Sequence, residues 1–273
     1  MDSIPPMTNQ IEYSNSYPGH LHCQVTGDVD KPALLLVHGF LSSNLQWELN
    51  KEELSKHFQL FMVELWGHGQ SPVPHTDSDY SIKRYVYELE TIREQYNIKQ
   101  WALVGHSYGA GIIMHYARYK PERCLGLVVT NSMSAFSPPG TIELGIKNEN
   151  TIRRLGVKIL SVHPSCSKTL PETLKKEMII QADKVNIESA IEALHMRNQL
   201  SILPYTDSLP STLVTNGIHE KEFQPTLKAA QEQWQNLKVK NLDGGHSINI
   251  NCAVEFNQAV IDFFSVLREN LHK

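Results

Sequence analysis

Apolar and polar residues alternate along the chain as short apolar runs and longer amphipathic stretches. The apolar runs have the length of strands, and a continuous one such as Ala33–Val37 is typical of a strand covered on both faces. The predicted strands span residues 20–26, 33–37, 60–65, 101–104, 125–129, 212–215 and 237–242. The stretch that begins at Ile82 has apolar residues at helical spacing, and Ser81 precedes it as a plausible N-cap.

Further helices are predicted between the strands, at residues 45–57, 110–119 and 226–234, and at the end of the chain. One face of the last helix is apolar; it carries Ala253, Phe256, Val260, Phe263 and Leu267. Strands that alternate with helices predict an α/β fold with a mostly parallel sheet flanked by helices. The alternation stops after Thr130, since residues 133–210 contain helical stretches and several prolines but no convincing strand. We therefore predict a core of residues 1–132 and 211–273 with a helical insertion at 133–210.

The composition narrows the class of protein. The 273 residues are 41% hydrophobic and 20% charged, as in a globular enzyme, and the net charge is -4 without a Lys/Arg block. We therefore expect no nucleic-acid partner and, since no apolar run approaches the roughly 20 residues of a membrane span, no membrane span. The first residues, MDSIPP, lack the charge and apolar pattern of a secretory signal. The cysteines lack the paired spacing of a disulfide frame or zinc site; they are Cys23, Cys124, Cys166 and Cys252. A cytoplasmic protein with no metal and no cofactor is expected.

The strongest chemical signal is the sequence GHSYG at residues 105–109. It is a G-x-S-x-G motif between a predicted strand and a predicted helix. Such a turn holds its serine at a strained backbone angle, and the small neighbours let the strand and the helix approach each other. Ser107 is therefore the candidate nucleophile. The alternative is a tight glycine-rich turn in an unrelated α/β fold.

A serine hydroxyl needs a neighbouring base, and the chain has 13 histidines. His246 is the candidate because it lies in LDGGHS between the last predicted strand and the last helix, where α/β sheets assemble their sites. His38 and His68 also follow predicted strands, and we interpret both as residues that brace loops.

The third residue is a carboxylate that orients the histidine. In the chain order serine, acid, histidine it is expected just after the strand at 212–215. Glu220 is the candidate, Glu222 and Asp243 are rivals, and a solvated surface charge is the alternative for each of them.

An oxyanion hole completes the predicted site. One donor is the backbone N–H of Tyr108, the residue after the nucleophile. The second is the backbone N–H of Phe40, in the turn His38-Gly39-Phe40 that follows a predicted strand.

With these residues in place, the chain from about residue 20 to its end resembles the α/β-hydrolase superfamily. The segment ELWGHGQSP at 64–72 resembles a Gly-x-Gly loop of that family, with Glu64 where members often carry Asp. The stretch GGHSINI is similar to the histidine loop of its lactonase, esterase and carbon–carbon hydrolase branches. Family members usually carry Asp at the position of Glu220. The resemblance implies that residues 133–210 are a helical cap over the pocket, and serine at 107 disfavours the branches that use an aspartate nucleophile.

The expected activity is hydrolysis of a small acyl substrate, which is a carboxylic ester, lactone or thioester, through an acyl-enzyme. Met133 and Phe136 either face the pocket or pack within the cap. Hydrolysis of a carbon–carbon bond or acyl transfer would use the same three residues. A ligand-sensing or signalling protein that keeps the fold and a slow triad is the alternative from a different class.

Overall fold

A seven-stranded sheet lies at the centre of the computed structural model, which describes residues 20–74, 80–155, 170–234 and 237–271. The strands are β1 (Cys23–Thr26), β2 (Ala33–Val37), β3 (Gln59–Val63), β4 (Trp101–Gly105), β5 (Cys124–Thr130), β6 (Thr212–Gly217) and β7 (Lys238–Leu242). Their order in the sheet is β1-β3-β2-β4-β5-β6-β7. Only the pairing of β1 with β3 is antiparallel, so the prediction of a mostly parallel sheet is confirmed.

Helices connect the parallel strands. They are α1 (Glu48–Ser55), α2 (Ile82–Gln95), α3 (Tyr108–Tyr119), α4 (Met133–Phe136), α5 (Ile142–Leu155), α6 (Glu172–Asp183), α7 (Ile187–Arg197), α8 (Phe223–Gln233), α9 (Ile248–Asn251) and α10 (Ala253–Leu271). Ser81 caps α2 as predicted, because its side chain accepts a hydrogen bond from the Arg84 backbone N–H. Helix α3 begins at Tyr108, two residues before the predicted start, so the first helical residue directly follows Ser107.

Strand β2 shows why a continuous apolar run belongs in the centre of this sheet. All five of its residues are buried. Leu35 and Val37 face one apolar cluster, and Leu34 and Leu36 face the other on the opposite side of the sheet. Helices cover both faces, so both sets of alternating side chains need to be apolar.

Strands β1 and β2 are joined by a short turn but do not pair with each other, since β3 lies between them. At the opposite edge, β7 carries the polar sequence KVKNL, and three of its five side chains are exposed. The most apolar strands therefore lie in the middle of the sheet, with more polar sequence at its edges.

Between β5 and β6 the described residues form helices and the loops that join them. This part of the chain contains α4 to α7 and a short 3-10 helix, Leu203–Ser208, and no strand is present in 131–155 or 170–211. The division of the chain into a core and a cap at residue 133 stays a prediction. The predicted loose lead-in before Gly19 and the cysteine Cys166 lie outside the described residues.

Candidate active site

Ser107 lies in a sharp turn between β4 and α3. Its φ is 51° and its ψ is -109°, a backbone conformation that non-glycine residues rarely adopt. The two glycines of the motif are required by contact: a Cβ on Gly105 would lie 2.7 Å from the Cα of Ala110, and one on Gly109 would lie 2.4 Å from the carbonyl oxygens of Val37 and His38. The motif residues therefore fit the predicted strand, turn and helix, and the strain falls on the serine.

The backbone on both sides of this turn is tied to the end of β5. The N–H of Ser107 donates to Thr130 Oγ1 at 3.1 Å, and its carbonyl oxygen accepts from Ser132 Oγ at 2.7 Å. Thr130 and Ser132 are fully buried. These bonds offset part of the strain at Ser107, because they hold the peptide groups of the turn in place.

His246 and Glu220 meet at the carboxyl end of β6 and β7. His246 Nδ1 lies 2.8 Å from Glu220 Oε1, while the second carboxylate oxygen, Oε2, accepts from Asn131 Nδ2. A carboxylate only accepts, so Nδ1 carries the proton and Nε2 is left as the basic nitrogen. The structure thus brings the predicted acid to the predicted base with the tautomer that a nucleophile needs.

A close backbone approach explains how two separate loops reach this distance. A Cβ on Gly217 would lie 2.1 Å from the carbonyl oxygen of Gly245, so only glycine fits where the loops of the acid and the histidine touch. Asn131 bridges to the same place, since its Oδ1 accepts from the Gly217 N–H at 3.1 Å and its Nδ2 lies 3.3 Å from the Gly217 carbonyl oxygen.

The rival acids are engaged elsewhere or exposed. The Asp243 carboxylate lies 2.6 Å from His219 Nε2, and its side chain is 86% exposed. Glu222 is exposed and, within the described ranges, makes no hydrogen bond to His246. Of the three carboxylates considered, geometry favours Glu220.

The turn His38-Gly39-Phe40 lies beside the serine turn. A Cβ on Gly39 would lie 2.5 Å from His106 Nδ1, so glycine permits this packing. Phe40 and Tyr108 border the same cavity as Ser107. Among the described residues, neither the Phe40 nor the Tyr108 backbone N–H has a protein acceptor, which is the condition an oxyanion donor must meet.

His38 and His68 hold this loop, in agreement with their interpretation from the sequence. The Leu65 N–H donates to His38 Nε2 at 3.0 Å, and the Leu41 N–H donates to His68 Nε2 at 3.1 Å. The other ring nitrogen of each histidine faces a backbone carbonyl. Burial lowers the pKa of His68 to about 4, so this imidazole stays neutral and keeps accepting from Leu41.

A buried network of side-chain amides links the turn His38-Gly39-Phe40, the candidate oxyanion turn, to the helix after His246. The Gly39 N–H donates to Gln46 Oε1 at 3.0 Å, and Asn249 Nδ2 donates to the Gln46 carbonyl at 2.8 Å and to Asn50 Oδ1 at 3.1 Å. Asn50 Nδ2 in turn donates to the Asn249 carbonyl at 2.8 Å and to Asn257 Oδ1 at 2.9 Å. The network fixes the turn at the end of β2 against the loop at the end of β7.

Glu64, the departure from the expected Asp, has a local role. Its two carboxylate oxygens accept from the backbone N–H groups of Asn44 at 3.1 Å and Gln70 at 2.7 Å. A Cβ on Gly69, which has a φ of 55°, would lie 2.1 Å from Glu64 Oε1. Glu64 therefore supports two loops near the site, and Gly69 makes room for its carboxylate.

A cavity of about 370 Å³ joins the candidate residues. Its lining consists of Phe40, Ser107, Tyr108, Met133, Ser134, Asn148, Thr151, Ile152, Leu194, Arg197, Glu220, Glu222 and His246. Helices α4, α5 and α7, which lie between β5 and β6, supply its upper wall, so residues of this segment share the cavity with the candidate nucleophile. Within the described ranges, no group of three or more His, Cys, Asp or Glu side chains could hold a metal ion.

Of the two apolar residues considered for the pocket, the structure places one there. Met133 borders the cavity. Phe136 does not belong to the described lining; its ring packs against Phe223 at 5.8 Å and stacks on Trp234 at 6.5 Å between ring centroids. Of the two placements considered for Phe136, the described structure shows packing rather than a position in the cavity lining, because α4 is a single helical turn whose far side contacts α8.

Two polar residues of the site, Asn131 and Arg197, were not predicted from the sequence. Asn131 directly follows β5, so its place after a buried strand was a usable signal. Arg197 is the last residue of α7, and its pattern in the sequence is that of an ordinary cation at a helix C-terminus.

Comparison with known proteins agrees with the observed fold. Residues 32–148 match the family model described as the alpha/beta hydrolase fold. An uncharacterized protein of Mycobacterium tuberculosis is 31% identical over 241 residues, which are 88% of this chain and 63% of that protein. The chain thus spans less than two thirds of the length of that relative.

Solved structures show the same fold. The enol-lactonase of Burkholderia xenovorans superposes with a TM-score of 0.79 at 19% identity, over 90% of this chain and 96% of the lactonase. A structure from work on carboxylesterases of Nitrososphaera gargenis gives 0.78 at 18% identity, over 92% of this chain and 96% of that one. The chain therefore has the α/β-hydrolase fold. No helix in the described residues is long and apolar enough to cross a membrane.

Proposed function

We propose that this chain hydrolyses a small acyl compound, a carboxylic ester, lactone or thioester, through an acyl-enzyme on Ser107. The observation that carries the proposal is the pairing of His246 with Glu220 in the cavity that also contains the strained Ser107. Structural neighbours described as a carboxylesterase and an enol-lactonase support the same class of reaction.

In the first half of the reaction, Ser107 Oγ attacks the acyl carbon and His246 Nε2 takes the hydroxyl proton. Glu220 keeps the imidazole in the required tautomer and balances its positive charge. The carbon–oxygen or carbon–sulfur bond to the leaving group then breaks, and His246 gives the proton to that group. In the second half, water takes the place of Ser107 as nucleophile and His246 repeats both transfers, which releases the acid.

The negative charge on the acyl oxygen is assigned to the backbone N–H groups of Phe40 and Tyr108. Tyr108 is the first residue of α3, so its N–H also lies at the positive end of the helix dipole. The proposed mechanism uses no cofactor. Residues 133–210 are proposed as the cap over the pocket, and a cytoplasmic location stays a prediction.

A fluorophosphonate probe tests the nucleophile. It should label wild-type protein at one residue, and Ser107→Ala should abolish the labelling because the attacking oxygen is gone. Ser134→Ala is the matched control, since Ser134 borders the same cavity, and it should leave labelling of Ser107 intact. Labelling that survives in Ser107→Ala would refute the assignment.

Turnover of para-nitrophenyl esters separates the alternatives. Repeated turnover after any burst supports an enzyme, whereas a single slow turnover supports a ligand-sensing protein. A panel of esters of graded acyl length, lactones, thioesters and diketones, with and without an added alcohol acceptor, then distinguishes hydrolysis of acyl bonds from carbon–carbon cleavage and acyl transfer.

A further inference from the structure

Arg197 places a positive charge in the cavity that also contains the candidate nucleophile. It is the last residue of α7 and borders the cavity that contains Ser107 and His246. Burial lowers the pKa of its guanidinium, because the charged group has lost part of its hydration. Even so, an arginine remains protonated near neutral pH, so the cavity contains a full positive charge.

The carboxylates of the described residues do not compensate this charge. None of them lies within 4.0 Å of the Arg197 guanidinium nitrogens in 20–74, 80–155, 170–234 or 237–271. Two acids near α7 have other partners: Glu188 forms a bidentate pair with Arg153, and Glu149 pairs with Arg153 and His195.

The acids of the site itself are also accounted for. Glu220 is held by His246 and Asn131. Glu222 borders the cavity but stays beyond ion-pair distance of Arg197. Arg197 is half-buried, and charges withdrawn from water are normally paired. An arginine without a counterion among the described residues, in a ligand-sized cavity, is thus a sign of a ligand that supplies one.

The neighbouring phenol of Tyr108 does not supply the negative charge that would balance Arg197. Burial raises the pKa of Tyr108 well above its ordinary value, so this side chain is neutral near pH 7. Its hydroxyl lies 3.6 Å from Met196 Sδ, on the residue before Arg197 in α7. The phenol thus positions the end of the helix without balancing the charge on Arg197.

We infer that the acyl compound carries a second, free carboxylate that binds Arg197. This inference rests on the proposed function, which concerns the acyl end of the substrate. It adds the chemical class of the substrate's other end. A guanidinium offers two parallel N–H donors that match the two oxygens of a carboxylate. The cavity volume of about 370 Å³ is near the lower end of ligand pockets, so the substrate is a compact acyl compound with an anionic end.

A matched pair of esters tests this class. One is the para-nitrophenyl monoester of adipic acid, and the other is its ketone analogue, in which a methyl ketone replaces the free carboxylate. Wild-type protein should have the higher kcat/KM for the adipate ester. In Arg197→Gln the ratio of the two kcat/KM values should fall about 10- to 100-fold, the range expected for a hydrogen-bonded charge pair. Arg197→Lys, which keeps the charge without the fork, should give an intermediate ratio.

Arg154→Gln is the matched control. Arg154 is an exposed cation on α5 outside the described lining of this cavity, so its loss changes the net charge equally and should leave the ratio unchanged. A wild-type preference for the ketone ester, or a ratio that Arg197→Gln does not alter, would overturn the inference.

Equilibrium binding separates this inference from the proposed function. Adipate ion should raise the melting temperature of wild-type protein and of Ser107→Ala, but not that of Arg197→Gln, and neutral adipamide should have no effect on any of them. If neither ester is turned over, the proposed function fails. The change in melting temperature caused by adipate ion then tests the anion site independently. Equal shifts in wild type and Arg197→Gln, or none in either, would refute the site.

Discussion

The two walls of the cavity that contains Ser107 are built by different means. The lower wall consists of loops at the carboxyl ends of β2, β4, β5, β6 and β7, and buried hydrogen bonds hold these loops to each other. The upper wall consists of helices between β5 and β6. Their clearest polar link is the pair of Arg153 on α5 with Glu188 on α7, whose side chains are 46% and 64% exposed.

This difference separates the chemistry from the selectivity. Groups that transfer protons need positions fixed to a fraction of an ångström, and buried, satisfied hydrogen bonds supply that precision. Groups that select the substrate need only surround it. Helices held by apolar packing and surface ion pairs are precise enough for that purpose. Substitutions in the lower wall should therefore damage turnover, while substitutions of surface pairs in the upper wall should hardly affect it.

The largest effect is expected at Glu220. Glu220→Gln keeps the shape of the side chain but removes the charge and can present an N–H to His246, which favours the wrong tautomer. The analogous change in the serine-protease example lowers turnover by on the order of 10⁴, and we expect a loss of similar size in kcat. Steady-state kinetics with a nitrophenyl ester measure it.

The controls for Glu220 are its rivals. Asp243→Asn and Glu222→Gln, measured in the same assay with thermal melting as a check of folding, should keep nearly full kcat. If one of them loses turnover while Glu220→Gln keeps it, the acid has been assigned to the wrong loop.

The next largest effect concerns stability in acid. Burial lowers the pKa of His68 in the folded protein to about 4 from its ordinary 6.5, so between these pH values the unfolded chain binds more protons. The contribution of His68 to the free energy of unfolding should thus be complete above pH 6.5. It should be lost as the pH drops toward 4, which lowers the free energy of unfolding by about 3 kcal/mol.

Urea unfolding at a series of pH values measures this loss. In His68→Asn the side chain no longer titrates, so the free energy of unfolding should start lower near neutral pH and decline less steeply in acid. If the free energy of unfolding depends equally on pH in wild type and His68→Asn, the pKa of His68 does not differ between the folded and unfolded protein, and this expectation fails.

A smaller loss is expected at Asn131. Asn131→Ala removes the donor to Glu220 Oε2 and both contacts to Gly217, so the acid should lose its fixed position. Since a hydrogen bond to a charged group contributes about 1.5–3 kcal/mol, kcat should fall about 10- to 100-fold with little change in KM.

The matched control is Asn241→Ala, an exposed amide on β7. It should keep wild-type kcat. A purely structural role for Asn131 would instead lower the melting temperature and leave kcat per folded molecule intact, which would contradict a positioning role.

The smallest effect is expected in the upper wall. Arg153→Gln removes the bidentate pair between α5 and α7, but both partners are exposed and solvent screens their attraction. We expect kcat/KM for a neutral nitrophenyl ester to change by less than about twofold. A large loss would mean that this surface pair sets the shape of the cavity, and the contrast between the two walls would fail.

The lower wall was largely predictable from the sequence. Most of its residues follow strands with clear apolar runs, although β7, which precedes His246, has the polar sequence KVKNL. The motif G-x-S-x-G also requires a strand before it and a helix after it. Asn131 shows the limit, because its role depends on the register between β5 and β6, which brings Thr130 opposite Thr215 and thus Asn131 beside Gly217. One sequence alone does not give that register.

The upper wall was much less predictable. Helical periodicity shows which side of a helix is apolar but not which neighbour that side meets. Phe136 illustrates this, since an apolar residue on one short turn faces either the cavity or α8, and packing with Phe223 and Trp234 decides for α8. Arg197 was missed for the same reason: a cation at a helix end is common, and only its place in the cavity that contains Ser107 gives it significance.

The amide network from Gln46 to Asn257 has a consequence for how the protein responds to salt. Its members are uncharged amide and backbone groups, so dissolved ions do not screen the bonds that hold the oxyanion turn to the helix after His246. An attraction between a substrate carboxylate and Arg197 is screened, since the Debye length shrinks from about 10 Å at 0.1 M to about 3 Å at 1 M ionic strength. Raising ionic strength should thus weaken capture of an anionic substrate while the reacting groups keep their alignment.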